Sequence, residues 1–272
     1  MRTSSKAHIT WRTAIVDRAS VRYQVVQVAG TQNGEPLVLV HGLAGSTYWW
    51  RRNVPALAAR HTLYLLDLPG FGGMRRHYQR FAVAHMADWI TRWMDAVGLE
   101  SAHFAAHSMG GLICLRLAAA HPQMVRRLAL FAPAGVPAQN RGASVVRSIM
   151  PLLQTALYAR PSFLPILTYD SLRTGPRMLL RAGSQILALD VREDLRRVRA
   201  PVLLCWGERD PLVPPEGGLV MRAALPDARL VRLPRAGHIA MYDRADLCNP
   251  LLLRFFAGED VASGALSSLL YG

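Results

Sequence analysis

Near the middle of the chain, AHSMGG at 106–111 sets a serine between an apolar run, HFAA, and a helix-compatible run, LICLRLAAA. Small residues stand two positions before Ser108 (Ala106) and two after it (Gly110), with Gly111 following. A hydroxyl carried on a sharp strand-to-helix turn needs such neighbours, because its backbone is strained and a bulky side chain two positions away would collide with the turn. The chemistry open to that hydroxyl is nucleophilic attack. A serine is a weak nucleophile until a base removes its proton, and the base must itself be oriented by a third group. Partners for Ser108 therefore have to come from elsewhere in the chain.

The elements that would bring them are legible from periodicity. HITWRTAIV and VRYQVVQVA, joined at DRAS, alternate as two antiparallel strands do. Short continuous apolar runs then recur: LVLV (37–40), LYLL (63–66), HFAA (103–106), LALF (128–131), VLLC (202–205) and RLVRL (229–233), as expected of strands covered on both faces. Helical stretches separate most of them. The clearest is predicted over 81–97, where Met86, Trp89, Ile90, Trp93, Met94 and Val97 recur at steps of three and four. Such alternation predicts an α/β fold, a mostly parallel twisted sheet with antiparallel N-terminal strands and helices on both faces. One interval breaks the rhythm. Residues 137–190 lack a strand signal and hold helical candidates near 143–159 and 176–188, so a helical cap is expected there, inserted into a core formed by 1–136 and 191–272. The tail, ASGALSSLLYG, is expected to pack weakly.

AHSMGG resembles the nucleophile elbow of the α/β-hydrolase family, with alanine in place of the first glycine of G-x-S-x-G. In that family the order is serine, then an acid, then histidine. The resemblance places the acid at Asp210 in CWGERDPLVP and the base at His238 in LPRAGHIAMYD, each after one of two successive predicted strands. An alternative acid position just after LALF carries APAG and no carboxylate. The resemblance also puts an oxyanion hole on the backbone N–H groups of Leu43, in LVLVHGLAGS, and Met109, with Gly42 and Gly45 letting that loop turn closely. Losing one such donor typically costs about 100- to 1,000-fold in rate. Asp67, in DLPGFG, reads as structural. The resemblance runs from residue 20 to about residue 257 and implies a serine hydrolase without cofactor or metal, most simply a carboxylesterase acting on an apolar acyl ester through an acyl-enzyme. A C–C bond hydrolase of ring-cleavage products is the alternative, and a non-catalytic small-molecule receptor of the same fold is a third reading. Epoxide hydrolases and haloalkane dehalogenases carry aspartate at the elbow, which Ser108 disfavours.

Several neighbouring residues have plainer readings. His41 is expected to shape its loop, His107 either to line the pocket or to pack, and Asp243 to cap a helix. Of Tyr48, Trp49 and Trp50, at least two are expected in the core. In the cap, Met150, Leu152, Leu153, Leu157, Phe163 and Leu164 either line an apolar channel or hold the cap together. Over residues 137–189 six arginines (141, 147, 160, 173, 177 and 181) stand against a single acid, Asp170, which disfavours a grip on a free amino terminus and permits an anionic substrate.

Composition bounds the partners. With 51% hydrophobic and 18% charged residues the chain is globular rather than disordered. The formal charge of +14 raises nucleic acid or an anionic membrane. However, the arginines are scattered, and no basic run interleaved with aromatics supports nucleic-acid binding. Membrane-surface contact is likewise not expected. No uncharged apolar stretch reaches the roughly 18 residues of a membrane span, and the start lacks the pattern of a cleaved signal. Cys114, Cys205 and Cys248, mostly in apolar runs, read as buried free thiols, and the expected location is the cytoplasm.

Overall fold

A strand buried on both faces must be apolar at nearly every position, and the uninterrupted runs form the middle of the sheet. The structure is a computed structural model describing residues 7–28, 34–136, 155 and 157–261. Its eight strands are β1 (Ala7–Val16), β2 (Ala19–Val28), β3 (Pro36–Val40), β4 (Thr62–Leu66), β5 (Ala102–His107), β6 (Val125–Phe131), β7 (Val202–Gly207) and β8 (Ala228–Leu233). They lie in the order β1-β2-β4-β3-β5-β6-β7-β8. β1 and β2 pair antiparallel, as do β2 and β4, and every other neighbouring pair is parallel. Asp17 and Arg18 turn the first hairpin at φ 50° and 62°, the left-handed pair that matches strand twist in a two-residue connection.

Successive residues of the parallel strands feed two separate cores. Val38, Val40, Phe104, Leu128, Leu130 and Leu204 face one cluster, and Leu37, Leu39, Ala105, Ala129, Phe131 and Leu203 face the other. The helices are α1 (Val54–Leu57), α2 (Met86–Val97), α3 (Met109–Ala120), α4 (Leu164–Thr174), α5 (Pro176–Ala188), α6 (Arg192–Leu195), α7 (Glu216–Ala224), α8 (Ala240–Asp243) and α9 (Ala245–Phe256). Residues of α2, α3 and α7 fill the first core, and those of α9 and the Trp49–Trp50 pair fill the second.

The helix expected over 81–97 begins at Met86, preceded by a short 3-10 turn at Val83–His85. Its apolar stripe is as read, but Phe81 reaches the core from an extended approach and Val83 from the 3-10 turn rather than from the α-helix. At the other end Gly98, at φ 76°, lets the chain reverse while Leu99 N–H returns to Met94 O at 2.9 Å. The chain leaves the core after Gly135 and re-enters at Val191, whose N–H donates to Gly135 O at 3.0 Å. Between these points α5 matches the expectation at 176–188, while α4 was not anticipated. The 143–159 candidate falls largely outside the described residues, as do Arg141, Arg147, Met150, Leu152, Leu153 and the tail from 262 on.

Candidate active site

Ser108 ends β5 and precedes α3 with φ 49° and ψ −112°, a conformation that costs an L-residue on the order of 1–3 kcal/mol. Hydrogen bonds on both sides hold it there. Its N–H donates to Phe131 O at 2.9 Å, and its carbonyl accepts from Leu112 N–H at 3.0 Å and Ala134 N–H at 3.1 Å. The demand for small neighbours is met in detail. A Cβ on Gly110 would strike the carbonyl oxygen of His41, and one on Gly111 would come within 2.8 Å of Pro133 Cβ.

Asp210 and His238 follow β7 and β8, so parallel pairing of those strands delivers both to the same edge. Asp210 Oδ1 accepts the N–H groups of Leu212 and Val213, each at 2.9 Å, a tight turn around Pro211. Its other oxygen, Oδ2, accepts a hydrogen bond from His238 Nδ1–H at 2.8 Å. That bond fixes the tautomer and leaves Nε2 as the basic nitrogen. The His238 ring lies edge-on to His107, the residue beside Ser108, with centroids 4.6 Å apart. His107 in turn donates from Nε2 to the His238 carbonyl at 3.0 Å. Of the two sequence readings of His107, packing describes what is seen: it is buried, with Nδ1 unpartnered, and it sits against the candidate base. Burial first, and the nearby His238 second, hold it well below the usual histidine pKa.

The loop after β3 closes the other side. A Cβ on Gly42 would lie 2.5 Å from His107 Nδ1 and 3.3 Å from Ser108 Cβ, so this backbone passes directly over the elbow. His41 shapes it, as expected: Nδ1–H donates to Gly42 O at 2.8 Å, and Nε2 accepts Leu68 N–H at 3.0 Å. With both nitrogens committed and the ring fully buried, it is neutral, its pKa pushed down to about 4. Leu43 N–H has no acceptor among the described residues. Met109, the first residue of α3, has none within its own helix. Asp67 is structural as read, its carboxylate accepting Thr47 N–H and Gly73 N–H at 2.8 Å each. Asn53 bolts the same loop to the segment after His238, donating to Met241 O at 3.0 Å and Asn249 Oδ1 at 2.7 Å.

Among the contacts that join the segment after residue 157 to the core are three that periodicity did not announce. Asp170, the lone acid, turns inward and accepts Ser46 Oγ–H at 2.7 Å and Trp49 Nε1–H at 3.0 Å on one oxygen. Phe163 is fully buried against Trp49 and Tyr242, with ring centroids 5.2 and 4.8 Å away. Asp243 accepts Arg160 N–H at 2.9 Å. It occupies the last position of α8 and so does not cap a helix start, which corrects the sequence reading. Leu157 is 80% exposed and Leu164 borders on it at 36%, so of the described candidates for a channel lining only Phe163 is enclosed. Trp49 and Trp50 are core residues and Tyr48 is exposed. A groove of about 550 Å³ follows the seam past Tyr48, Arg51, Asp67, Tyr169, Asp170 and Arg173, and none of Ser108, Asp210 or His238 lines it.

Sheet order, elbow and loop placement together define an α/β-fold hydrolase. The chain belongs to the α/β-hydrolase fold family, whose model matches residues 35–164 and 159–245. It is 33% identical over 242 residues to the dihydrolipoyllysine-residue acetyltransferase component of the acetoin cleaving system of Pseudomonas putida, covering 83% of this chain but only 64% of that protein's length. It is 30% identical over 256 residues to a 2-hydroxy-6-oxo-6-phenylhexa-2,4-dienoate hydrolase of Burkholderia cepacia, covering 82% of this chain and 88% of that one. Among solved structures, a bacterial membrane phospholipase A described as a virulence factor superposes with a TM-score of 0.78 at 27% identity, covering 92% of this chain and 86% of the other.

Proposed function

We propose that the protein is a serine hydrolase that cleaves an apolar acyl ester, with Ser108 as nucleophile, His238 as general base and acid, and Asp210 as the group that orients and charge-stabilises the imidazole. The observation that carries this reading is the Asp210–His238 hydrogen bond of 2.8 Å, on a ring packed against His107, the residue that precedes the strained serine. Nε2 takes the Ser108 proton as Oγ attacks the carbonyl carbon. The oxyanion develops where Gly42 passes over the elbow, and the N–H groups of Leu43 and Met109 serve as its donors. His238 then protonates the leaving alcohol. Water cleaves the acyl-enzyme by the same route, returning the serine.

Residues 137–190 form the cap in this reading, and the hydrogen bond between Val191 and Gly135 at its stem supports an insertion into the core. The buried free thiols support a cytoplasmic location, and among the described residues no helix is long and apolar enough to cross a membrane. The relationship to the Burkholderia dienoate hydrolase favours a second reading, C–C bond hydrolysis by the same residues.

A fluorophosphonate probe tests the common step. It should label wild-type protein at Ser108 and leave Ser108→Ala unlabelled, and labelling elsewhere or none at all in folded protein would overturn the assignment and favour a receptor. Turnover of p-nitrophenyl esters of rising chain length, beside one 2-hydroxy-6-oxo-dienoate, then separates the two reactions.

A further inference from the structure

The cap turns apolar side chains away from the protein. On α5, Met178 and Ala182 face inward, and the opposite arc of about 120° carries Arg177, Leu180, Arg181, Ser184 and Leu187. Leu180 and Leu187, two turns apart on that arc, are 74% and 79% exposed. Leu172, near the end of the preceding helix, is 78% exposed, with Arg173 beside it. Isolated exposed leucines are ordinary, but three on two consecutive helices, two of them with an arginine next in sequence, form a patterned surface.

Its charge is as one-sided as its apolarity. Between 157 and 189 the sequence has one acid, Asp170, and the structure buries it. No ion pair to Arg173, Arg177 or Arg181 is formed among the described residues. Arg173 and Arg181 hydrogen-bond to Tyr169 Oη and Tyr78 O, yet none of the three arginines pairs with a carboxylate among the described residues, and the exposed Asp190 that follows α5 is paired with Arg192. Leucines projecting past such arginines match the chemistry of a bilayer interface: phosphate headgroups for the guanidinium groups and acyl chains for the leucines. A second copy of the chain fits less well, because it would set three arginines against the same three.

We infer that the outer face of α4 and α5 docks on membranes rich in anionic phospholipid, through Leu172, Leu180 and Leu187 with Arg173, Arg177 and Arg181. The inference reverses the expectation from sequence, where scattered arginines gave no sign of a contact face and exposure of the leucines was not readable. It is independent of the ester-hydrolase reading, since none of these six residues takes part in that reaction.

Co-sedimentation with vesicles tests it without using activity. Wild-type protein should pellet with vesicles of equal phosphatidylglycerol and phosphatidylcholine, remain in solution with phosphatidylcholine alone, and be released progressively by salt. Leu172→Ser/Leu180→Ser/Leu187→Ser should bind at least tenfold more weakly. Arg173→Gln/Arg177→Gln/Arg181→Gln should lose roughly a hundredfold, at about fivefold per arginine. Melting temperatures checked alongside should stay close to wild type, as for other surface substitutions. Wild-type protein that ignores anionic vesicles, or triple variants that bind as wild type does, would overturn the inference, the latter by assigning binding to the general positive charge. Concentration-dependent dimerisation abolished by the leucine variant would overturn it in favour of a second copy.

Discussion

The rim of the sheet and the cap are built from similarly apolar sequence and treat it in opposite ways. In β5 and β7 every apolar side chain is inside, and the polar residues around the rim are buried with partners: Asp210 with three donors, His41 with one donor and one acceptor. In α4 and α5, leucines lie in solvent, while the contacts with the core include Phe163, Asp170, the Arg160–Asp243 pair, the buried Met178 and Ala182, and Val83 N–H donating to Gln185 Oε1 at 2.8 Å. A sheet buries both faces by construction, so a strand's composition decides its position. A helix buries one stripe, and an apolar residue outside that stripe is left over unless a partner covers it. Composition therefore describes the core well and misdescribes the cap.

The largest contrast should appear on replacing Asp210. Asp210→Asn keeps the shape but offers an amide where His238 Nδ1–H needs an acceptor, so the ring is free to present the wrong tautomer. Ester turnover should fall by about 10⁴-fold, with KM little changed, and steady-state kinetics check this. A fall of less than tenfold would remove Asp210 from the mechanism and leave the rim as a purely structural assembly. Phe163→Ala probes the other region. If the cap is clamped by that one ring as a core is held, unfolding free energy should drop by about 3–5 kcal/mol. A loss within about 0.5 kcal/mol, the range of ordinary surface positions, would show that the cap rides on the core without it. Urea denaturation followed by tryptophan fluorescence distinguishes these outcomes.

How much of this was legible in the sequence follows the same division. The apolar runs located the parallel strands to within a few residues, because burial on both faces leaves little room for polar side chains. Asp17 and Arg18 stood in a recognised link, yet nothing in their types announced two left-handed residues in a row. The pair Asp210 and His238 was reachable only through resemblance, since an Asp-Pro turn and a loop histidine are individually unremarkable in spacing. His107, Asn53 and Asp243 act across 131, 188 and 83 residues of chain, and no local pattern encodes such a bond. Asp170 carried the one usable hint. A single acid among arginines is conspicuous, but composition could not tell whether it faces solvent or the core.

The smallest predicted effect sets the two regions against each other through pH. His41 at the rim stays neutral in the folded protein down to about pH 4, because burial opposes its charge, whereas an unfolded histidine takes its proton near 6.5. Between those values the unfolded chain holds the extra proton, so acidification removes stability, by about 3 kcal/mol at most. Asp170 in the cap works with the opposite sign. Burial raises its pKa above 3.8, so the folded state binds its proton first and acidification through that range adds stability; Asp67 and Asp243 act in the same direction. Melting temperatures at pH 7 and pH 4.5 should therefore differ less in His41→Gln than in wild type, and more in Asp170→Asn. Equal differences in all three would mean that neither the rim histidine nor the seam carboxylate titrates as its burial requires, and the contrast between a sealed core and a pinned cap would lose its electrostatic support.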